Sequence, residues 1–254
     1  MLPQQFRLLS ILVCMVIYLQ PSIAEGPSEI EEEPWTVAVS IGSRLCGGSI
    51  LKANFVLTAA QCVWGKQFWE VKVHYGSKYS WKEGTYADIK NMTFLRYRND
   101  SMQNNICILE TSEPMKLDEL KSKPIALPPL EFDPKPESNV LVSGWGSPDY
   151  GYASQLMAAN FTVIDRGECR KKLAEIKEES LVTNEIFCAG GFKHGDQCLD
   201  HGDEGDPTVQ KNEKGINILM GVATIPPWLV ERGFPSIFTR VGAYIKWIKK
   251  VIGP

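Results

Sequence analysis

Between Trp35 and Val241 the apolar residues of this chain come in short bursts, each soon broken by glycine, proline or a polar turn. Trp35, Val37, Val39 and Ile41 alternate and would share one face of a strand. Val71-Lys72-Val73-His74-Tyr75 alternates in the same way. The stretches 139–143, 159–163, 216–220 and 237–239 are equally short and rich in strand formers. Many short strands spaced by turn signals predict an all-β fold of barrels or sandwiches. Two helices are expected beside them. Asp165 with Glu168 makes a capping-box pattern opening a polar segment that runs to about 178. At the C-terminus Val241, Ile245, Ile248 and Ile252 fall on one helical face, and Lys246, Lys249 and Lys250 on another. That helix should dock by its apolar side.

The start of the chain speaks to compartment. Arg7 precedes the apolar run 8–19, and Ser22-Ile23-Ala24 then offers small residues for a cleavage site. This is the plan of a secretory signal peptide over residues 1–24, and the run is short for a membrane span. The acidic segment that follows, 25–33, has no hydrophobic period and is expected as an exposed arm. Of seven cysteines, Cys14 lies in the leader, which leaves Cys46, Cys62, Cys107, Cys169, Cys188 and Cys198. In a secreted chain these are disulfide candidates, and six cysteines allow about 15 connectivities. Sequons at Asn91, Asn99 and Asn160 fit the same compartment and are candidate glycosylation sites. Between Pro124 and Ser138 lie five prolines, the best candidate for an inter-domain linker.

A formal net charge of -3 gives no reason to expect nucleic acid or an acidic membrane surface as partner. Asp200, His201, Asp203, Glu204 and Asp206 crowd one turn, which raises a metal site or a hydrolytic acid pair. Both need defined separations and converging groups that one turn does not supply, so a solvated acidic loop, with no metal and no cofactor, is expected.

That turn contains the sequence's most telling motif. Gly202-Asp203-Glu204-Gly205-Asp206-Pro207 resembles the Gly-Asp-Ser-Gly-Gly-Pro loop of serine proteases, with glutamate in the place of the nucleophile. Cys46-Gly47-Gly48-Ser49-Ile50 resembles the CGGS strand of the same enzymes. Leu57-Thr58-Ala59-Ala60-Gln61-Cys62 is similar to LTAAHC, Asn104-Asn105-Ile106-Cys107-Ile108-Leu109 to NDIALL, and Val142-Ser143-Gly144-Trp145-Gly146 to VSGWG. Phe234-Pro235-Ser236-Ile237-Phe238-Thr239-Arg240-Val241 is similar to YPGVYTRV. With these blocks in order from about residue 34 to 252, the chain resembles the chymotrypsin/trypsin family. The resemblance implies one trypsin-like unit over 25–254, with two six-stranded antiparallel barrels at about 34–128 and 139–238 and a closing helix at about 241–252.

The resemblance also locates the chemistry. A serine protease needs an imidazole to take the serine proton, a carboxylate to hold the imidazole's tautomer, and the serine. The three positions here read Gln61, Asn105 and Glu204. An amide at 61 does not titrate near neutral pH, an asparagine at 105 would alone cost on the order of 10⁴ in turnover, and Glu204 removes the hydroxyl. Loss of the unit costs about 10⁶. The oxyanion loop is two residues longer than the family's between Cys198 and Gly202, so the amides of Gly202 and Glu204 are expected to be displaced. Asp196 falls where trypsins keep the aspartate that binds a basic side chain. The pocket wall SWG is read as Ala223-Thr224-Ile225, and the opposite wall has Ser236 for glycine, so a closed specificity pocket is expected, with no peptide substrate in the usual cleft. No proteolytic activation is expected, so Asp203 finds a donor other than a new N-terminus or stays hydrated. The resemblance implies family bridges at Cys46–Cys62 and Cys169–Cys188, which leaves Cys107 and Cys198 as free thiols, with a bridge between those two as the alternative.

The segments 72–77, 113–117 and 241–248 look like mite digestive trypsin-like proteases, and replaced triads on that background look like the scabies mite inactivated serine protease paralogues. That resemblance implies a secreted gut protein that binds host serum proteins, complement components among them, and inhibits complement. A decoy that binds a protease, substrate or inhibitor of its own species, and a residual hydrolase, are the rival readings.

Overall fold

In the computed structural model the described residues are 26–146, 153–190, 199–226 and 234–253. A short strand β1 (Gly26–Pro27) comes first. The first barrel follows as β2 (Thr36–Ile41), β3 (Arg44–Lys52), β4 (Phe55–Thr58), β5 (Val71–Tyr75), β6 (Thr85–Phe94) and β7 (Cys107–Thr111). They hydrogen-bond in the order β2-β3-β4-β7-β6-β5, and β5 returns to β2. The second barrel contains β8 (Asn139–Gly144), β9 (Met157–Ile164), β10 (Ile186–Ala189), β11 (Pro207–Lys211), β12 (Asn217–Thr224) and β13 (Ser236–Arg240). Its order is β8-β9-β10-β13-β12-β11, closed by β11 on β8, the same path as the first. All pairings within the two barrels are antiparallel. Closure leaves neither barrel a free edge, which is how short strands avoid pairing with other chains.

Alternation places the core. Val37, Val39, Val73, Leu57 and Leu109 fill the first barrel, and Val140, Phe161, Val163, Met220 and Phe238 the second. Phe187 stacks on Phe238 at 5.1 Å between ring centroids. The backbone of Gly221 passes so close that a Cβ there would lie 2.6 Å from the Phe187 ring, so no larger residue fits. Two disulfides join Cys46 to Cys62 and Cys169 to Cys188. Asp165 caps α2 (Arg166–Ala174) by accepting the N–H groups of Gly167 and Glu168, so this helix stops short of the polar segment's end at 178.

Two segments tie the barrels together here. After a turn of 3-10 helix, α3 (Ile245–Ile252) lays Ile245, Ile248 and Ile252 on the first barrel's core, although it follows the second barrel in sequence. Its last carbonyls, of Ile252 and Gly253, accept from Lys52 Nζ at 3.2 Å, a cation at the negative end of the helix. The proline-rich stretch 124–138 is a packed strap. Ile125 N–H donates to the Ile50 carbonyl of one barrel, and Leu219 N–H of the other donates to Ala126. Arg240 holds the carbonyls of Glu131 and Phe132, both at 3.0 Å.

The acidic segment departs from expectation. It is docked, not an exposed arm. β1 pairs with β9, Ile30 is buried beside Ala38, Leu45, Trp145 and Leu156, and Glu29 meets Lys78 at 2.8 Å. One apolar anchor and long-range ion pairs replace the hydrophobic period that local sequence lacks. Among the described residues no helix is long and apolar enough to cross a membrane.

Ile248 has no exposed surface and belongs to the core shared by α3 and the first barrel. Ile248→Ala is expected to cost about 2–5 kcal/mol, read as a lower urea midpoint with an unchanged slope. A loss below about 1 kcal/mol would mean that α3 contributes little to holding the barrels as one unit.

Candidate functional site

The site lies where the barrels face one another. The first barrel supplies Gln61 from α1 (Ala60–Val63), the short helix directly after β4, and Asn105 just ahead of β7. The second supplies the loop 199–206 before β11 and the end of β12.

Gln61 and Asn105 are locked together. Gln61 N–H donates to Asn105 Oδ1 at 2.8 Å, and Asn105 Nδ2 donates to Gln61 Oε1 at 2.6 Å. The Gln61 side chain also pairs with one backbone unit of the facing barrel. Its Nε2 donates to the Ile225 carbonyl at 2.7 Å, and its Oε1 accepts the Ile225 N–H at 3.2 Å. An amide matches a peptide unit donor for acceptor, so this contact works as a strand partner would. Asn105 Nδ2 also reaches Thr224 Oγ1 at 3.4 Å, and Thr224 Oγ1 meets Thr239 Oγ1 at 2.9 Å. Every member of this network is uncharged and stays so near neutral pH. It can hold the barrels in register, and it cannot relay a proton.

Glu204 stands in the loop with its side chain only 7% exposed. Its Oε2 accepts the Gly202 N–H at 2.8 Å, and its Oε1 meets Arg44 Nη2 of β3 at 3.2 Å. The carboxylate therefore occupies a backbone donor of the kind such a loop points at a developing oxyanion. The loop backbone is pinned on both sides. Gly47 N–H donates to the Glu204 carbonyl and Gly205 N–H to the Ala223 carbonyl, while Ala223 N–H donates back to Asp206. Gly205 has φ of 89°, and a Cβ there would lie 2.3 Å from the Gly47 carbonyl oxygen, so glycine is required.

Asp203 accepts the Asp200 N–H at 2.8 Å. Its further partner is Asp206. That side chain is 1% exposed and lies in a cradle of two glycines, since a Cβ on Gly47 or Gly144 would come within 1.7 Å of its oxygens. Burial first, then the charge of Asp203, the hydrogen bond to it, and the charge of Glu204 push the Asp206 carboxyl well above the usual carboxylate range. That direction, with the hydrogen bond to Asp203, favours a proton on the Asp206 carboxyl, while its Oδ1 takes no hydrogen bond among the described residues. The expected solvated acidic loop is corrected here: Gly202, Glu204 and Asp206 are all buried, because glycines on both barrels leave room for carboxyls. Among the described residues no three His, Cys, Asp or Glu side chains converge as a metal site.

The side chain of Ile225 packs with Leu199 and Ala223 in the second barrel's core, and its backbone is what Gln61 takes up. Thr224 faces Asn105 and Thr239, and Ser236 Oγ accepts the Leu199 N–H at 2.9 Å. Asp196 and Cys198 lie outside the described residues. Cys107 is a free thiol, buried without exposed surface, and burial pushes its pKa far up. Asn91 on β6 and Asn99 are exposed, and Asn160 on β9 is half-buried. Arg44 was not anticipated from sequence. The usable signal was a glutamate in an anion-binding loop, which once buried requires a cation, and an arginine directly before the Cys46 strand.

A family model described as Trypsin matches residues 23–248. The chain is 28% identical over 237 residues to trypsin Blo t 3 of Blomia tropicalis, covering 91% of this chain and 86% of that one. It is 29% identical over 229 residues to a trypsin of Squalus acanthias, at 86% and 90% coverage. Among solved structures it is similar to the scabies mite inactivated protease paralogue S-D1, with 43% identity, a TM-score of 0.84, and 89% of this chain and 95% of that one covered. It is similar also to paralogue S-I1, with 40% identity, a TM-score of 0.78, and 89% and 97% covered.

Two predictions arise from the acids. Arg44→Ala strips the buried Glu204 of its cation and is expected to cost about 1–3 kcal/mol. Adding Glu204→Gln should recover most of that loss, and simple additivity of the two changes in urea denaturation would show the pair to be uncoupled. Folded Asp206 holds its proton to higher pH than the unfolded chain does. Its contribution to stability is therefore full below the ordinary carboxylate range and falls as pH rises through that range toward the raised folded value. Asp206→Asn keeps a donor toward Asp203 without the titration. It should raise the melting temperature at about pH 8 and leave it nearly unchanged at about pH 4. Equal shifts at both pH values would rule out a shared proton.

Proposed function

This chain belongs to the trypsin family, and we propose that it is a secreted, proteolytically inactive member that acts by binding other proteins, with inhibition of host complement as its activity. The observation that carries the inactive reading is the Glu204 carboxylate, held by Gly202 N–H and Arg44 where the nucleophile belongs. A carboxylate so placed offers no hydroxyl for acyl transfer, and it sets negative charge where negative charge has to be stabilised. Gln61 and Asn105 support the same conclusion, since neither amide supplies the base or the orienting carboxylate. The Gln61 link to the Ile225 backbone further engages a strand end that faces the cleft. Loss of chemistry with retention of both barrels leaves the outer surface as the part that can act.

Secretion is supported by the apolar leader ahead of residue 24 and by the disulfides, which belong to an oxidising compartment. The exposed sequon residues Asn91 and Asn99 support glycosylation in that setting, and the half-buried Asn160 is the less accessible of the three. The complement reading is supported by the likeness to inactivated mite protease paralogues.

Protein purified from a secretory eukaryotic host is expected to leave a peptide library intact and to escape labelling by a fluorophosphonate. Added in equimolar to tenfold amounts, it should lower complement-mediated lysis of sensitised erythrocytes and capture complement components from serum. Glu204→Ala should leave this inhibition unchanged. Unaltered lysis with no serum capture defeats the complement reading, and capture of a protease or inhibitor from the producing tissue would favour a decoy. Peptide turnover that disappears in Glu204→Ala would establish a hydrolase.

A further inference from the structure

A second site lies away from the former catalytic cleft, between the docked arm and the outer face of the second barrel. A cavity of roughly 610 Å³ opens there. Pro27 and the cross-strand pair Leu141 and Val209 form its apolar wall, Glu32 and Glu33 one end, and Lys211 stands at its rim.

The arm's four described glutamates divide into two kinds. Glu29 is matched by Lys78 at 2.8 Å and Glu31 by Lys121 at 3.7 Å. Glu32 and Glu33 have no cationic partner among the described residues and line the cavity. Their shared donor is Ser28 Oγ, at 3.1 Å from Glu32 and 2.5 Å from Glu33. A hydroxyl carries one proton, so it cannot satisfy both carboxylates at once. Glu33 is 4% exposed, and Ser28 is the one side-chain donor to its carboxylate among the described residues. Its burial, only partly offset by Ser28 and reinforced by the charge of Glu32, holds its pKa above the usual value. A carboxyl this buried, with one hydroxyl shared with a second carboxylate and open volume beside it, fits an incoming cation.

We propose that this cavity binds an organic cation, a guanidinium or ammonium group on a slim stem, with Glu33 and Glu32 as its anionic partners. The apolar wall takes the stem, as aliphatic walls do for arginine and lysine side chains. The ionisable groups lining the cavity are Glu32 and Glu33 from the arm and Lys211 from β11. Lys211 is exposed and in no ion pair among the described residues, so it sets the cation-binding end opposite itself. Binding requires Glu33 to be ionised. It therefore releases a proton at pH values below the raised Glu33 value, and affinity falls as pH drops through it. The proposal is independent of whether the chain inhibits complement.

Titration calorimetry of the full mature chain tests it with three probes: agmatine, Nα-acetyl-arginine methylamide, and the uncharged citrulline counterpart of the latter. Both guanidinium probes should bind, with the citrulline probe weaker by about tenfold or more. Tighter binding of the capped arginine than of agmatine assigns the site to a basic side chain on a partner protein, and the reverse order to a free amine. Glu33→Gln should abolish binding. Glu32→Gln, an exposed change that leaves the buried contact in place, should weaken it by about tenfold, and Lys211→Ala should strengthen it. Heats measured in two buffers of different ionisation enthalpy should show proton release. Equal affinity for the citrulline probe, absence of binding at millimolar concentrations, or full affinity in both glutamate variants would overturn the proposal.

Discussion

A carboxylate taken out of water must find donors and a counter-charge, and at this site that requirement organises everything around Glu204. The Gly202 N–H and Arg44 meet it from opposite barrels. The loop can offer that N–H because it turns through Gly202 and Gly205, both at positive φ. Arg44 can reach because β3 begins where the loop passes, and Gly47 on the same strand holds the Glu204 carbonyl. An amide donor that would otherwise point at substrate is consumed internally. The barrel interface thereby gains an ion pair joining residues 160 positions apart, with Arg44 still 43% exposed and its charge partly solvated.

Around that pair the remaining polar groups settle into two electrically distinct layers. Gln61, Asn105, Thr224 and Thr239 form a neutral chain of donors and acceptors across the cleft. Asp203 and Asp206 form an acidic pair behind the loop, made tolerable by one shared proton. Two ionised carboxylates in that cradle would repel without a cation between them, so protonation of the more buried one is the lower-energy solution. Within the loop Asp203 has the Asp200 N–H as a donor, and the hydrogen bond with the raised Asp206 carboxyl adds to it.

The two barrels and the C-terminal helix were readable because their signals are local. Val37, Val39 and Ile41 sit two apart on a strand, and Ile245, Ile248 and Ile252 share a helix face. The site positions were readable from short motifs, and the identities Gln61, Asn105 and Glu204 carried their chemistry with them. What escaped was non-local. The acidic arm looks featureless because Ile30 is its single apolar anchor and its ion pairs reach Lys78 and Lys121, far along the chain. Arg44 carries no motif, and its partner is fixed only once β3 and the loop are brought together. Burial of Asp206 depends on Gly47 and Gly144, two glycines from different barrels. The contacts of Ile225 are non-local too: its side chain packs with Leu199, and its backbone meets Gln61 from the other barrel.

The same contrast bears on how a protease scaffold can lose its chemistry and keep its fold. Catalysis asks the site to hold an imidazole and a hydroxyl in a geometry that serves the transition state. Stability asks only that buried donors and acceptors be matched. Gln61 answers the second demand better than the first, since its amide presents a donor and an acceptor together and closes both against Ile225. Asn105 likewise serves the backbone N–H of Gln61 with one end and its side chain with the other. Gln61 stands where a proton carrier is needed and Asn105 where a charged orienting group is needed, and both here only hold hydrogen bonds. The hydrogen bonds of Gln61 and Asn105 thus serve the seam between the barrels, and the outer loops and the arm are the parts not committed to it. That is the physical reason to look for this protein's activity on its surface, and the arm is one such element: among the described residues Glu32 and Glu33 share the single hydroxyl of Ser28.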